Sequence, residues 1–158
     1  MRSEHLQYLF RYSSECLSKV IKALDRSNIP DGKGRTGGYL ALQHDTHPRP
    51  VLVVLLGEVS DDKAERYFRN VQKKLEMLGQ NPSHVSTFES RDLAKEQYGG
   101  GIRTASGWRS AFSGLPEEGD LALCLLFAKK VMSIEDHEIV NICLKSNSTF
   151  ASDLALAE

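Results

Sequence analysis

Long apolar runs are missing from this 158-residue chain, and residues 51–56 form a run with only the length of a strand. A membrane span needs roughly 18 consecutive apolar residues, so no membrane insertion is expected. Charge of one sign is lacking too, because 20 basic side chains balance 21 acidic ones and leave a net charge of −1. Nucleic acid normally calls for a concentrated basic surface, and none is expected here. Cysteine is scarce: Cys16, Cys124 and Cys143 lie far apart, with no C-x-x-C pair and no histidine at metal-site spacing. They read as small buried apolar residues. The N-terminal stretch has Arg2, Glu4, His5 and Arg11 scattered through it and no uninterrupted apolar segment. No signal peptide is therefore expected, and a cytoplasmic location follows as an expectation.

What is present suits one globular domain, with 41% hydrophobic and 26% charged residues. A chain this long removes about 70% of its unfolded surface from water on folding, so its core needs no disulfide, metal or haem as a prop. Leu6, Leu9, Phe10, Leu17, Val20, Ile21 and Leu24 recur at helical spacing and predict an amphipathic helix over residues 6–24, ended by Asn28-Ile29-Pro30. Residues 31–38 hold four glycines and read as a mobile connector. Residues 39–42 and 51–56 read as a pair of strands around the turn HDTHPRP, the second buried because Val and Leu dominate it. Ser60, Asp61 and Asp62 open a second helix carrying Ala64, Phe68, Val71, Leu75 and Leu78, with Gly79 as its expected cap.

Residues 83–98 suggest no more than helical turns around Glu89 to Gln97. Residues 98–103 and 108–112 flank Thr104-Ala105-Ser106-Gly107 as a second hairpin. Pro116, Glu117 and Glu118 then start a helix bearing Leu121, Cys124, Leu125, Ala128 and Val131. A last helix, capped by Ser133 or Asp136, is expected to bury Val140, Cys143 and Leu144. Hairpins separated by helices favour an α+β domain with an antiparallel sheet covered by helices. The expected organisation is a single domain over residues 1–145 and a flexible tail over residues 146–158.

The string Tyr98-Gly99-Gly100-Gly101-Ile102, a turn, then Ser110-Ala111-Phe112-Ser113-Gly114-Leu115-Pro116-Glu117-Glu118-Gly119-Asp120 resembles the C-terminal signature of the HbpS/GlcG-like haem-binding family. The resemblance implies a profilin-like fold, a central antiparallel sheet flanked by helices. It also implies haem or a related tetrapyrrole as ligand, with Arg91, Arg103 or Arg109 able to pair with propionates and His44 or His47 as a haem contact. Gly101 stands where the family usually has proline, and Arg91 alone represents its basic position before the hairpin. Independently of the family, Gly99 to Gly101 permit close backbone approach, and Ser113-Gly114 exposes backbone N–H groups beside a helix start, suited to a carboxylate or phosphate.

Other constellations are weaker. His44-Asp45-Thr46-His47 is an exposed hairpin tip, a metal pair lacking a third ligand, or a haem contact. Gly32-Lys33-Gly34-Arg35-Thr36-Gly37 fits G-x-G-x-x-G as a string, but a helix precedes it and a strand follows, the reverse of the dinucleotide fingerprint. Lys33 and Arg35 still suit an anion. No nucleophile with an activating partner is legible, so no catalytic residue is assigned. The expected function is small-molecule binding through Arg91, Gly99, Gly100, Arg103, Arg109, Ser113 and Gly114. The alternative is a non-catalytic scaffold that pairs with itself, as a homo-oligomer, or with another protein.

Overall fold

The computed structural model describes residues 3–157, so residues 1, 2 and 158 of the ranges above lie outside the described residues. Chain order is α1 (Ser3–Asp25), β1 (Gly37–His44), β2 (Leu52–Gly57), α2 (Asp61–Gln80), short 3-10 turns at Thr87–Ser90 and Leu93–Lys95, β3 (Gly101–Arg103), β4 (Trp108–Ser113), α3 (Glu117–Val131), α4 (Asp136–Lys145) and α5 (Thr149–Leu156). The four strands pair antiparallel in the order β2-β1-β4-β3. The domain is therefore α+β, an antiparallel sheet with helices on both faces.

Alternation along the strands explains the two faces. Tyr39, Ala41 and Ala111 point to one side and meet Val71 and Leu75 of α2. Leu40, Leu42, Leu56, Ile102 and Phe112 point to the other and join α1 and α3 in the main core. Within α3 every residue from Gly119 to Ala128 is buried, as befits a helix packed between the sheet, α1 and α5. Side chains such as Leu123 and Phe127 each contribute about 1.5–3 kcal/mol by leaving water.

Several sequence expectations change. Residues 51–56 are not a fully buried strand: β2 is an edge, and Val51, Val53 and Leu55 are more than a third exposed. The reason is coverage, because α2 packs on β1, β4 and β3 while α1 covers the opposite face of β2. On α1, Leu17, Val20 and Leu24 are buried, but Leu6 and Phe10 are exposed. Gly79 lies inside α2, which continues to Gln80 and is capped by Asn81.

On α4, Glu135 caps in place of Ser133 or Asp136, reciprocally with Glu138, and this phase buries Ile139, Ile142 and Cys143 while leaving Val140 and Leu144 exposed. Most of the expected tail folds too. Ser148 accepts from the Ala151 N–H to start α5, and small Ala151 and Ala155 let that helix seat against α3. The three cysteines are buried as expected, and burial pushes the Cys124 thiol up to about 12.

Candidate functional site

The residues expected to bind a ligand fall at two ends of the sheet. Arg103 and Arg109 are cross-strand partners on β3 and β4, at the end where α2 finishes. A helix leaves its last carbonyls without intrahelical donors, and Arg103 bonds one of these together with two carbonyls just past the helix. Its Nη2 donates to the Leu78 carbonyl at 2.6 Å, and its Nη1 to those of Asn81 (3.1 Å) and His84 (2.6 Å). Nε of Arg103 reaches both Asp45 oxygens, at 3.3 and 3.2 Å, while Arg109 Nε donates to Asp45 Oδ1 at 2.5 Å. Burial raises the Asp45 carboxyl, but the two guanidinium groups outweigh it and hold Asp45 below the usual carboxylate range. Both arginines are spent on the fold.

The two histidines share this end. His44 Nε2 lies 3.0 Å from the Ser106 carbonyl, which makes it the protonated nitrogen, and Nδ1 accepts from the Thr46 N–H at 3.2 Å. Neither ring nitrogen is open to an iron. The His47 ring is 6.2 Å from that of His44, and no group of three or more metal-binding side chains occurs among the described residues. The cluster lies at the turn that joins β1 to β2.

From Arg109 to Ser113, β4 runs roughly 13 Å to the opposite end of the sheet. There Lys74 of α2 meets Asp120 of α3 in a buried ion pair of 2.9 Å, the side chains 2% and 4% exposed. Lys74 Nζ also donates to the Phe112 carbonyl at 2.6 Å, and Asp120 Oδ1 accepts from the Leu115 N–H at 3.0 Å. Burial dominates the Asp120 carboxyl and pushes it up to about 7, although Lys74 pulls the other way. Gly100 crosses directly over this pair. Its φ is +108°, and a Cβ there would stand 2.5 Å from the Asp120 Cβ and 2.9 Å from Lys74 Nζ. The close approach expected of this glycine is therefore made to an internal salt bridge.

Beside the pair, Arg91 grips Glu117 through two bonds of 2.8 Å, and Glu117 Oε2 also accepts from the Gly99 N–H at 2.6 Å. Burial alone would raise Glu117, but Arg91 and the Gly99 N–H hold it below its ordinary value. Ser113-Gly114 carries β4 past β1 with almost no room, since a Cβ on Gly114 would sit 2.2 Å from the Gly37 carbonyl. The N–H following that turn is already answered by the chain's own Asp120.

Two adjoining clefts open around the start of α3. A 460 Å³ cleft includes Ile29, Phe88, Arg91, Gly99, Gly100 and Leu121 in its lining. A 350 Å³ cleft includes Tyr67, Lys74, Tyr98, Ser113, Gly114 and Asp120. They share Pro30, Pro116 and Glu117, and form one trough. Five of the expected residues thus line it, namely Arg91, Gly99, Gly100, Ser113 and Gly114, whereas Arg103, Arg109, His44 and His47 do not.

Sequence reasoning missed Lys74 and Asp120. The signal was present for Lys74, which takes a place on the apolar stripe Val71, Leu75 and Leu78 where a lysine is out of pattern. Asp120 was hidden among the acids of the first turn of α3, where a solvated role is the default. Comparison with protein-family models, with curated proteins and with solved structures finds no significant match to this chain.

Proposed function

We propose that the chain is a small-molecule-binding domain whose ligand occupies the trough around the start of α3. The observation that carries this reading is the gathering of Arg91, Gly99, Gly100, Ser113 and Gly114 along two adjoining clefts of ligand-pocket size. Ile29, Phe88 and Leu121 offer apolar wall, and Tyr98 and Ser113 offer polar points along it. The Lys74–Asp120 pair stiffens the floor by tying α2 to α3 and to the end of β4.

The resemblance implies haem or a related tetrapyrrole, and the residues fit that group poorly as one constellation. Haem iron takes a His, Cys, Met or Tyr ligand. Of these types the trough lining holds Tyr67 and Tyr98, and the expected His44 and His47 contacts lie at the other end of the sheet. The propionate partners Arg103 and Arg109 lie there too, already bonded within the chain. A tetrapyrrole in the trough would therefore bind without those four residues.

The test is a hemin titration followed at the Soret band, with protoporphyrin IX as the metal-free arm. Saturable binding weakened by Tyr98→Ala and unchanged by His47→Ala supports a tetrapyrrole in the trough. Absence of saturable binding by either compound removes the tetrapyrrole, and weakening by His47→Ala alone moves the site to the hairpin end.

A scaffold is the second reading, favoured by the outer edge of β2. Residues 51–57 carry no charge, their outer edge pairs with no strand among the described residues, and Val51, Val53 and Leu55 are exposed. Such an edge is a ready template for another strand, here a second copy of this chain. Sedimentation velocity at several concentrations checks it: a dimer abolished by Val53→Lys supports the reading, and a monomer throughout sets it aside.

A further inference from the structure

We infer that the cleft continuing the trough beyond Arg35 binds a multiply charged oxyanion, a phosphate-type group carried by the small-molecule ligand. This rests on the function proposed above, because the 540 Å³ cleft shares Asp31, Arg35, Arg66, Tyr67 and Gly114 with the trough. Four cations line it. Lys33 and Arg35 come from the glycine-rich connector, and Lys63 and Arg66 from the first two turns of α2. Asp31 is the one carboxylate in that lining. Asp61 and Asp62 precede Lys63 without lining the cleft.

These cations are not spent as Arg103 and Arg109 are. Among the described residues no carboxylate oxygen lies within 4 Å of the charged nitrogens of Lys33, Arg35, Lys63 or Arg66. Arg35 uses part of its fork to position itself, Nε donating to the Asp31 carbonyl at 2.7 Å and Nη1 to the Gly114 carbonyl at 3.3 Å. A guanidinium has five N–H donors, so further ones remain. Arg66 rests over the Tyr67 ring, 5.4 Å from its centroid.

The connector is also built rather than loose. The Gly34 N–H donates to Asp25 Oδ1 at 3.2 Å, Thr36 Oγ1 to the Glu58 carbonyl at 2.5 Å, and the Glu58 N–H returns to the Thr36 carbonyl at 3.2 Å. The mobile connector expected from composition is thus tied to α1 on one side and to the end of β2 on the other. It holds Lys33 and Arg35 opposite Lys63 and Arg66 before any ligand arrives. Like charges held together repel, and an oxyanion bearing more than one charge relieves several repulsions at once. A single carboxylate would answer fewer of them, and the scarcity of apolar lining besides Val59 and the Tyr67 ring suits a phosphate better than a hydrocarbon.

The experiment is an isothermal titration of the full chain with pyrophosphate at fixed ionic strength, with acetate as the singly charged comparator. Arg66→Gln and Lys63→Gln are the cleft variants, and Lys22→Gln on the exposed face of α1 is the control. All three positions are exposed, so these variants should keep the fold. We expect saturable pyrophosphate binding at one site, weakened about tenfold by either cleft substitution and unaltered by Lys22→Gln. No saturable binding, equal weakening by all three variants, or acetate binding as tightly as pyrophosphate overturns the inference. The two readings fail separately. Loss of hemin binding with pyrophosphate binding intact removes the tetrapyrrole alone, and the converse removes the oxyanion site alone.

Discussion

The two ends of α2 use the same kind of side chain in opposite ways. At its C-terminal end Arg103 and Arg109 are consumed by Asp45 and by the carbonyls of Leu75, Leu78, Asn81 and His84. Near its N-terminal end Lys63 and Arg66 face the connector cations across a cleft with one carboxylate in its lining. An arginine in the sequence is a candidate ligand contact only if the fold has left its donors free. Between these extremes Lys74 is fully engaged in the buried ion pair yet forms part of the lining of the proposed site.

The sharpest way to break this contrast is to cut the middle. Lys74→Met leaves the Asp120 charge buried without its partner and should cost about 3–5 kcal/mol in chemical denaturation, whereas Lys74→Met combined with Asp120→Leu should recover most of that loss. A single substitution no worse than a surface change would mean that water reaches the pair. Next in size is Arg103→Ala. It strips several buried carbonyls and Asp45 of donors, and should cost about 2–3 kcal/mol, while Arg66→Ala should stay within about 0.5 kcal/mol. Equal costs at the two ends would dissolve the comparison.

The most diagnostic effect is in the pH dependence. Asp45 is depressed in the folded state, so its contribution is present above the unfolded carboxylate range and lost as pH falls through its lowered folded value. Asp120 runs the other way. Raised to about 7 when folded, it binds its proton more tightly there than in the unfolded chain, so its contribution is present below about pH 4 and lost as pH rises through about 7. Between pH 5 and 8 the wild-type Tm should therefore decline relative to that of Asp120→Asn. Parallel Tm profiles over that range would show that Asp120 stays ionised throughout.

Of the residues that the resemblance singled out between 98 and 120, Gly99, Gly100, Ser113 and Gly114 line the trough, and Arg103 and Arg109 do not. Gly100 was legible as a site of close approach, because a glycine run before a strand signals a backbone that something must press against. What presses there is the Lys74–Asp120 pair, joining residues 46 positions apart, and no local pattern announces which acid a lone lysine on an apolar stripe will find. Arg103 looked like a propionate ligand because its charge is written in the sequence and its burial is not. Ser148, a few residues into the supposed tail, starts α5 with a signal as good as any upstream, but the short helix it opens gains its place from α3.

The sequence by itself determined the α+β character, the main helices, the two hairpins and the apolar role of the cysteines. These follow from periodicity and turn chemistry, which act between residues a few positions apart. Only the tertiary structure decided which cations stay free, which apolar strand becomes an exposed edge, and which expected ligand residues share a cleft. Those outcomes depend on which elements cover which, and coverage is settled by packing between segments that the chain brings together only when it folds.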